Sequence, residues 1–282
     1  MDDAGLKGWI GREETSHDLA AEAPLSGLAA LLDHASPPWP AGEVPPLGHW
    51  LYFLPRAPQS RMDVDGHPQR GGLIPPVEAP RRMWAGSRVQ VSGPLPLGGE
   101  ISRVSRLADV QRKSGASGEM IFVTLRHEIA AGGAVRIVEE QDLVYRQPAP
   151  AEPAPTGTVA PEAPPATPHA VRRVSVNEVQ LFRFSALTFN AHRIHYDRPY
   201  ATGVEGYPGL VVHGPYIATL LMDHFLRERP GAQVRSFAFR ARRPLFDNRP
   251  FDLCLADSEG GARLWAADEH GRIAMSADLT RA

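Results

Sequence analysis

The pattern of hydrophobic and polar positions predicts antiparallel strands at the end of each of two halves of the chain. In the first half, two strands flank a glycine turn at 131–133, and in the second half two strands flank a turn at 269–271. Further strands are predicted before each pair. The eight strand segments are 118–127, 135–145, 88–92, 99–110, 262–267, 272–279, 234–243 and 251–256. Each half is therefore expected to finish as an antiparallel meander.

Helical spacing of apolar residues occurs at two places, one in each half. Residues 25–34 carry four leucines at helical intervals, and residues 214–228 are apolar along one broad side. Pro215 suits the first turn of the second helix. The pattern predicts a helix covered by a curved antiparallel sheet, with this layout occurring twice. The expected fold class is α+β.

A proline- and alanine-rich segment at residues 148–170 separates the two halves. Proline removes backbone donors and fixes φ, so this segment is expected to hold neither a helix nor a central strand. It is interpreted as a linker between an N-terminal domain at 1–147 and a C-terminal domain at 171–282.

Composition narrows the class of protein. The chain has 282 residues, a formal net charge of -2 and a single cysteine, Cys254, which is expected to lie in the core. These values favour neither nucleic-acid binding nor a disulfide-linked secreted protein. The start of the chain lacks the pattern of a signal peptide, and we find no apolar run of about twenty residues. The expectation is a cytoplasmic protein without membrane or nucleic-acid partners.

The segment at residues 188–197, TFNAHRIHYD, combines side chains that can move protons and hold polar ligands. His195 is the candidate acid or base, because imidazole titrates near neutral pH. The Asn190 amide can hold a water or a hydroxyl, since it both accepts and donates. His192 together with His195 could suggest a metal, but the sequence supplies neither a zincin pattern nor a cysteine pair, so no metal is expected.

A second segment at residues 209–216, GLVVHGPY, leads into the predicted helix at 214–228. The first N–H groups of a helix have no internal acceptor, and glycine lets a ligand approach the backbone closely. Gly214 is therefore a candidate donor to a thioester oxygen that gains negative charge. A tight turn into a buried helix is the alternative interpretation of the same residues.

At these residues the chain resembles the MaoC-like, or hydratase 2, group of hotdog proteins. The group's pattern is roughly Gly-Asp-x-Asn-Pro-x-His-x-Asp followed by Ala-His-Gly-Met. His195 falls on the group's catalytic histidine, Asn190 on its catalytic aspartate and Arg193 on its proline. The segment 182–197, with 49–55, 81–86 and 139–145, resembles the subgroup of mesaconyl-C4-CoA hydratase, itaconyl-CoA hydratase and type 2 hydroxyacyl-thioester dehydratase.

This resemblance implies a double hotdog fold with two antiparallel sheets, each wrapping a central helix. The first domain would have lost its own histidine motif and would shape the acyl pocket. The implied reaction is hydration of an enoyl-CoA or its reverse, without a cofactor other than the CoA thioester substrate. A homodimer is expected.

The implied roles place His195 as the base that activates water, Asn190 as the group that positions it and the Gly214 N–H as the donor to the enolate oxygen. His192 and Asp197 are both candidates for the second acid or base group.

Arg193 is expected to bind an acyl carboxylate, which favours a C5 dicarboxylyl-CoA that gives citramalyl-CoA. His192, His213 and Tyr216 complete the expected substrate contacts. A 3-hydroxyacyl-thioester dehydratase of fatty acid metabolism, an acyl-CoA thioesterase and a non-catalytic acyl-thioester binding module remain alternatives.

Overall fold

Ten antiparallel strands form one continuous sheet in the computed structural model, which describes residues 2–115, 118–147 and 163–282. The eight predicted strands are all present, and two short ones are added. In chain order the strands are β1 (Glu13–Leu19), β2 (Arg81–Val91), β3 (Glu100–Gly115), β4 (Gly118–Ala131), β5 (Ala134–Arg146), β6 (Ala170–Ser175), β7 (Val234–Ala241), β8 (Pro250–Ser258), β9 (Gly261–Asp268) and β10 (Ile273–Arg281). Most of the predicted linker, at 148–162, lies outside the described residues.

The two halves of the chain join edge to edge in the middle of this sheet. The strand order is β1-β3-β4-β5-β2-β7-β10-β9-β8-β6, so five strands of each half lie on either side of the β2–β7 contact. Gly86 pairs with Arg240, and the pairing continues to Gln90 opposite Ser236. The prediction of two separate sheets is therefore wrong, because β2 and β7 satisfy each other's backbone groups.

At Gly86 the central strands β2 and β7 of the two halves approach each other closely. A Cβ placed on this residue would lie 2.3 Å from the carbonyl oxygen of Phe239 on β7. We expect Gly86→Ala to lower the free energy of unfolding by about 1–3 kcal/mol, because the two strands must separate locally. Chemical unfolding measures this. Gly99→Ala is the matched control, since its added Cβ would meet only the Pro96 carbonyl oxygen, at 4.0 Å; equal losses in the two variants would contradict the prediction.

Five α-helices accompany the sheet in the described residues: α1 (Asp3–Lys7), α2 (Glu22–Leu31), α3 (Glu178–Thr188), α4 (Arg198–Gly203) and α5 (Gly214–Glu228). The α5 helix has the predicted bounds and packs on β2, β8, β9 and β10. The α2 helix begins and ends three residues earlier than predicted, because the chain turns at Asp33 with a φ of 61°. None of the helices within the described ranges is long and apolar enough to cross a membrane.

The two central helices are not equivalent, which corrects the prediction that each half wraps one. While α5 lies against the sheet, α2 packs against α3 and the short turn Gly48–Leu51. The α3 helix was not predicted, although Asn177 and Gln180 form a capping box at its start. The α3 and α5 helices place the two candidate motifs side by side, since each motif lies at one end of a helix.

Candidate active site

A cavity of about 1160 Å³ has walls from both halves of the chain. The first half contributes Trp50 and His67, among others, and the second half contributes His192, His195 and Gly214. Its volume is slightly above the usual range of ligand pockets, about 300–1000 Å³, which suits a long ligand better than a small metabolite.

His195 combines deep burial with a fixed tautomer. It ends the short turn Arg193–His195, is only 7% exposed and still lines the cavity. Its Nδ1 lies 2.7 Å from the carbonyl oxygen of Val211. Because a carbonyl only accepts, Nδ1 must donate, and Nε2 keeps a free lone pair. Burial lowers the pKa of His195 to about 4, so the imidazole is neutral at pH 7 and can accept a proton.

His213 and Tyr216 lie in the core, which corrects their predicted contact with substrate. Both are fully buried and neither lines the cavity. The His213 ring stacks on the His195 ring at 3.6 Å between centroids, and its Nε2 lies 2.8 Å from the Ser185 hydroxyl. The Tyr216 ring stacks on Phe184 at 4.7 Å. His213 therefore supports His195, and Tyr216 contributes to packing.

Gly214 is the first residue of α5 and lines the same cavity. Its N–H has no acceptor within the helix, and none of the turn and loop hydrogen bonds of the described residues uses it. The following residue is Pro215, which has no N–H of its own. The N-terminus of α5 therefore offers a backbone donor and the positive end of the helix dipole within the cavity that holds His195.

Asn190 and His192 both line the cavity. The Asn190 side-chain oxygen accepts a hydrogen bond of 3.0 Å from the His192 N–H. This bond occupies one of the two lone pairs of the oxygen that was expected to accept from a water molecule. The His192 ring is 7% exposed, with its centroid 5.3 Å from that of His195. Burial, together with neighbouring charges, lowers the pKa of His192 far below its usual range, so His192 is also neutral.

Arg193 and Asp197 lie outside the cavity wall, which corrects their predicted roles at the reaction centre. They pair with each other at 2.7 Å. Asp197 also caps α4 by accepting from the Tyr200 N–H. The Arg193 guanidinium lies over the Tyr200 ring and donates to the Val64 carbonyl oxygen at 3.1 Å. Arg193 thus holds the surrounding chain in place instead of facing a ligand.

A loop at residues 63–70 brings first-half side chains to the histidine motif, and the sequence interpretation missed it. Asp65 and His67 pair through Oδ2 and Nδ1 at 3.0 Å. The His67 ring centroid lies 4.1 Å from that of His192. The only local signal is an Asp-Gly-His turn between segments without periodicity. Such a turn does not reveal which distant motif it contacts.

Asp65, His67 and His192 offer three donor atoms within 4.8 Å of one another. This spacing could gather a divalent cation. However, the hydrogen bond between Asp65 and His67 already uses one carboxylate oxygen and one ring nitrogen. His67 Nε2 stays outside that bond.

The first-half wall of the cavity contains a second polar group, centred on Glu139. Its Oε2 lies 2.9 Å from His49 Nε2 and accepts from the Trp50 Nε1 at 3.0 Å. Burial alone would raise the pKa of Glu139, but the bond with His49 and the nearby histidine charges bring it down to about 2. The Glu139 carboxylate is therefore ionised at neutral pH, and Arg103 lines the same cavity.

Buried neutral histidines should make the fold sensitive to acid. Burial lowers the pKa of His195 and of His127 from 6.5 to about 4. Between these values the unfolded chain binds protons that the folded chain does not, so we expect the free energy of unfolding to fall as pH drops from about 6.5 to about 4. Urea unfolding at several pH values measures this. A free energy of unfolding that stayed constant over this interval would contradict it.

The chain matches the family model for hydroxyacyl-thioester dehydratase type 2 over residues 47–247. It is 46% identical to the mesaconyl-C(4)-CoA hydratase of Chloroflexus aurantiacus over 280 residues, covering 99% of each chain.

Two solved structures share the fold. A MaoC-like dehydratase from Phytophthora capsici gives a TM-score of 0.72 at 12% identity, covering 98% of this chain and 97% of that one. HtdX from Mycobacterium tuberculosis gives 0.69 at 18% identity, covering 96% and 100%. The α+β fold is therefore hotdog-like, and the chain belongs to the hydroxyacyl-thioester dehydratase type 2 family of MaoC-like hotdog proteins.

Proposed function

We propose that the protein is a hydro-lyase that adds water to the double bond of an enoyl-CoA. The observation that carries this proposal is the pairing of His195, a neutral base with a free Nε2, with the unused Gly214 N–H in one cavity. The full-length relative named mesaconyl-C(4)-CoA hydratase supports the same reaction class.

The proposed reaction begins when His195 Nε2 takes a proton from water as the water oxygen bonds to the β-carbon. The electrons of the double bond move toward the thioester carbonyl, and the Gly214 N–H stabilises the enolate oxygen. The His195 imidazolium then gives its proton to the α-carbon, which restores the neutral base. The hydrogen bond to Val211 holds the ring in the tautomer that this cycle requires.

The substrate we favour is a branched C5 dicarboxylyl-CoA such as mesaconyl-C4-CoA, giving citramalyl-CoA. With Arg193 outside the cavity, Arg82 is the cation best placed to meet the acyl carboxylate. It lines the cavity, and its guanidinium takes part in none of the side-chain hydrogen bonds or ion pairs of the described residues. Burial is the main cause of the lowered pKa of His67 and of His192, and the charge of Arg82 adds to it, which supports a role of Arg82 beside these histidines.

The negative charge of Glu139 supports the same orientation of the acyl chain. A free carboxylate would be repelled by the Glu139 carboxylate and attracted to Arg82. In a mesaconyl-C4-CoA the carboxylate is attached to the β-carbon, so its cation must lie next to the base. Arg81 is a poorer candidate, since its Nε already pairs with Glu205 at 3.0 Å.

The direct test is an assay of the purified protein with mesaconyl-C4-CoA, itaconyl-CoA and crotonyl-CoA. Hydration of a C5 dicarboxylyl-CoA is the expected result, and turnover of crotonyl-CoA alone would reject the dicarboxylate substrate. A thiol-reactive dye distinguishes hydration from hydrolysis, because a hydratase leaves the thioester intact. Release of free CoA would indicate a thioesterase, and binding without turnover would indicate a non-catalytic module.

Arg82 variants test the substrate class separately. Arg82→Met should raise KM for the dicarboxylyl-CoA by about tenfold to a hundredfold, because a charge-assisted hydrogen bond is lost, and should leave crotonyl-CoA turnover nearly unchanged. Arg82→Lys is the matched control, since it keeps the charge and should lose less. Equal effects of Arg82→Met on both substrates would show that Arg82 does not select the dicarboxylyl-CoA.

We also propose that residues 1–147 and 171–282 act as two domains joined by the 148–170 linker, with the first domain shaping the acyl pocket. The cavity-lining residues of the first half, including Trp50 and His67, support this division of roles. Limited proteolysis should cut first within 148–170.

We also propose that the protein forms a homodimer. Light scattering during size-exclusion chromatography measures its mass in solution and tests this.

A further inference from the structure

The attacking water needs a second hydrogen-bond acceptor, because one acceptor fixes neither its position nor the direction of its lone pair. His195 Nε2 is one acceptor in the proposed function. Asn190 is a poorer candidate for the other, since its single acceptor oxygen already binds the His192 N–H at 3.0 Å and keeps only one lone pair for water. The amide nitrogen of Asn190 is a hydrogen-bond donor. A bond from it to the water would occupy the water lone pair that must attack carbon.

The 63–70 loop carries a group with the required chemistry. Both carboxylate oxygens of Asp65 bind His67, one to its backbone N–H at 2.8 Å and the other to Nδ1 at 3.0 Å. Since a carboxylate accepts, His67 Nδ1 donates and Nε2 keeps a lone pair. The ring lines the cavity and lies 4.1 Å, between centroids, from His192.

Several contacts fix the loop to the histidine motif. The Asp65 carbonyl oxygen accepts from the Arg193 N–H at 2.9 Å, and the Val64 carbonyl accepts from the Arg193 guanidinium. Gly66, with a φ of 89°, packs so closely that an added Cβ would lie 1.8 Å from the Ala191 carbonyl oxygen. A side chain at this position would push the loop away, so the position of His67 is built into the fold.

We propose that His67, oriented by Asp65, is a catalytic residue that binds the attacking water as its second acceptor. This inference rests on the proposed hydratase function. The water donates one hydrogen to His195 Nε2 and the other to His67 Nε2, and its lone pair then faces the β-carbon.

The bonds and protons balance in this arrangement. As the carbon–oxygen bond forms, the O–H bond toward His195 breaks and that proton moves to Nε2. The second O–H bond stays intact, remains hydrogen-bonded to His67 and becomes the hydroxyl group of the product. The proton on His195 then completes the new bond at the α-carbon, so His67 ends the cycle unchanged.

The test compares His67→Leu with wild type in the full-length chain, using the enoyl-CoA that the wild type hydrates best. Loss of the water contact should lower kcat about a hundredfold and change KM by less than about threefold. Val64→Ala is the matched control from the same loop, because its side chain is 79% exposed and only its backbone contacts Arg193. A kcat of His67→Leu within twofold of wild type would overturn the inference.

A second substitution separates chemistry from packing. Aspartate at position 190 has two acceptor oxygens, so one can keep the His192 N–H and the other can accept from water. Asn190→Asp combined with His67→Leu should therefore recover at least about tenfold in kcat over His67→Leu alone. No recovery, in a variant whose thermal unfolding matches wild type, would assign His67 a structural role and overturn the inference.

Two further outcomes are informative. Asp65→Asn should lower kcat with little change in KM, because the neutral amide no longer fixes the His67 tautomer. Loss of wild-type activity on treatment with a chelator, restored by zinc, would make Asp65, His67 and His192 a metal site and overturn the water-binding role. If the wild type hydrates no enoyl-CoA at all, the proposed function fails, whereas an active wild type with an active His67→Leu variant rejects only this inference.

Discussion

Replacing His195 with glutamine is expected to lower kcat for enoyl-CoA hydration by about three orders of magnitude. The glutamine side chain fills similar space but cannot take a proton from water at neutral pH, so the contribution of general-base catalysis is lost. KM should change little, since His195 meets the reacting water more than the CoA moiety. The measurement is steady-state hydration of the preferred thioester by wild type and variant.

The pH dependence of stability provides a control for the folding of the His195→Gln variant. Because His195 is 7% exposed and neutral in the folded state, its removal should reduce the loss of stability between pH 6.5 and 4. A variant that is folded, more resistant to acid and nearly inactive would match the assigned role. Near-normal turnover would reject His195 as the base.

Replacing Asp223 with alanine is expected to lower the free energy of unfolding by about 3 kcal/mol. Asp223 lies on α5 with a side chain only 1% exposed. It binds Arg172 at 2.7 Å and Arg227 at 2.9 Å, and it also pairs with His34. Alanine would leave these donors without their shared acceptor in a partly buried place. Urea unfolding at pH 7 measures the loss.

Asp257 provides a matched control for this prediction. It forms an ion pair with Arg229 at 3.3 Å, but its side chain is 59% exposed. Asp257→Ala should cost less than about 1 kcal/mol, because water replaces the partner of an exposed charge. Comparable losses at Asp223 and Asp257 would show that the buried network stabilises the fold no more than an exposed ion pair does.

The hydrophobic pattern predicted the strands that are covered by the core and missed those at the edges. The two missed strands, β1 and β6, lie at the two ends of the sheet order, and each pairs with a single neighbour. β1 has no buried residue, so it carries no alternation of apolar and polar positions. An edge strand forms because a neighbouring backbone offers hydrogen bonds, and its own sequence need not show a buried face.

In the candidate site, too, some residues could be predicted from the sequence and others could not. Spacing and residue type led to His195, His192, Asn190 and Gly214, all of which line the cavity. Arg193 was placed in the site because it lies between two histidines in sequence, yet adjacent residues of the turn Arg193–His195 point in different directions. The loop at 63–70 was missed because its partner lies more than a hundred residues away in the chain.

The sequence alone determined the parts of this protein that depend on local rules. Helical spacing and Pro215 determined α5, and the meanders followed from alternation and glycine turns, because these patterns reflect one element and its immediate neighbours. Only the tertiary structure decided that β2 joins β7 at Gly86, that His213 supports the His195 ring, and that His67 reaches the histidine motif. These contacts arise from the packing of distant segments, which leaves no period or spacing in the sequence from which they could be predicted.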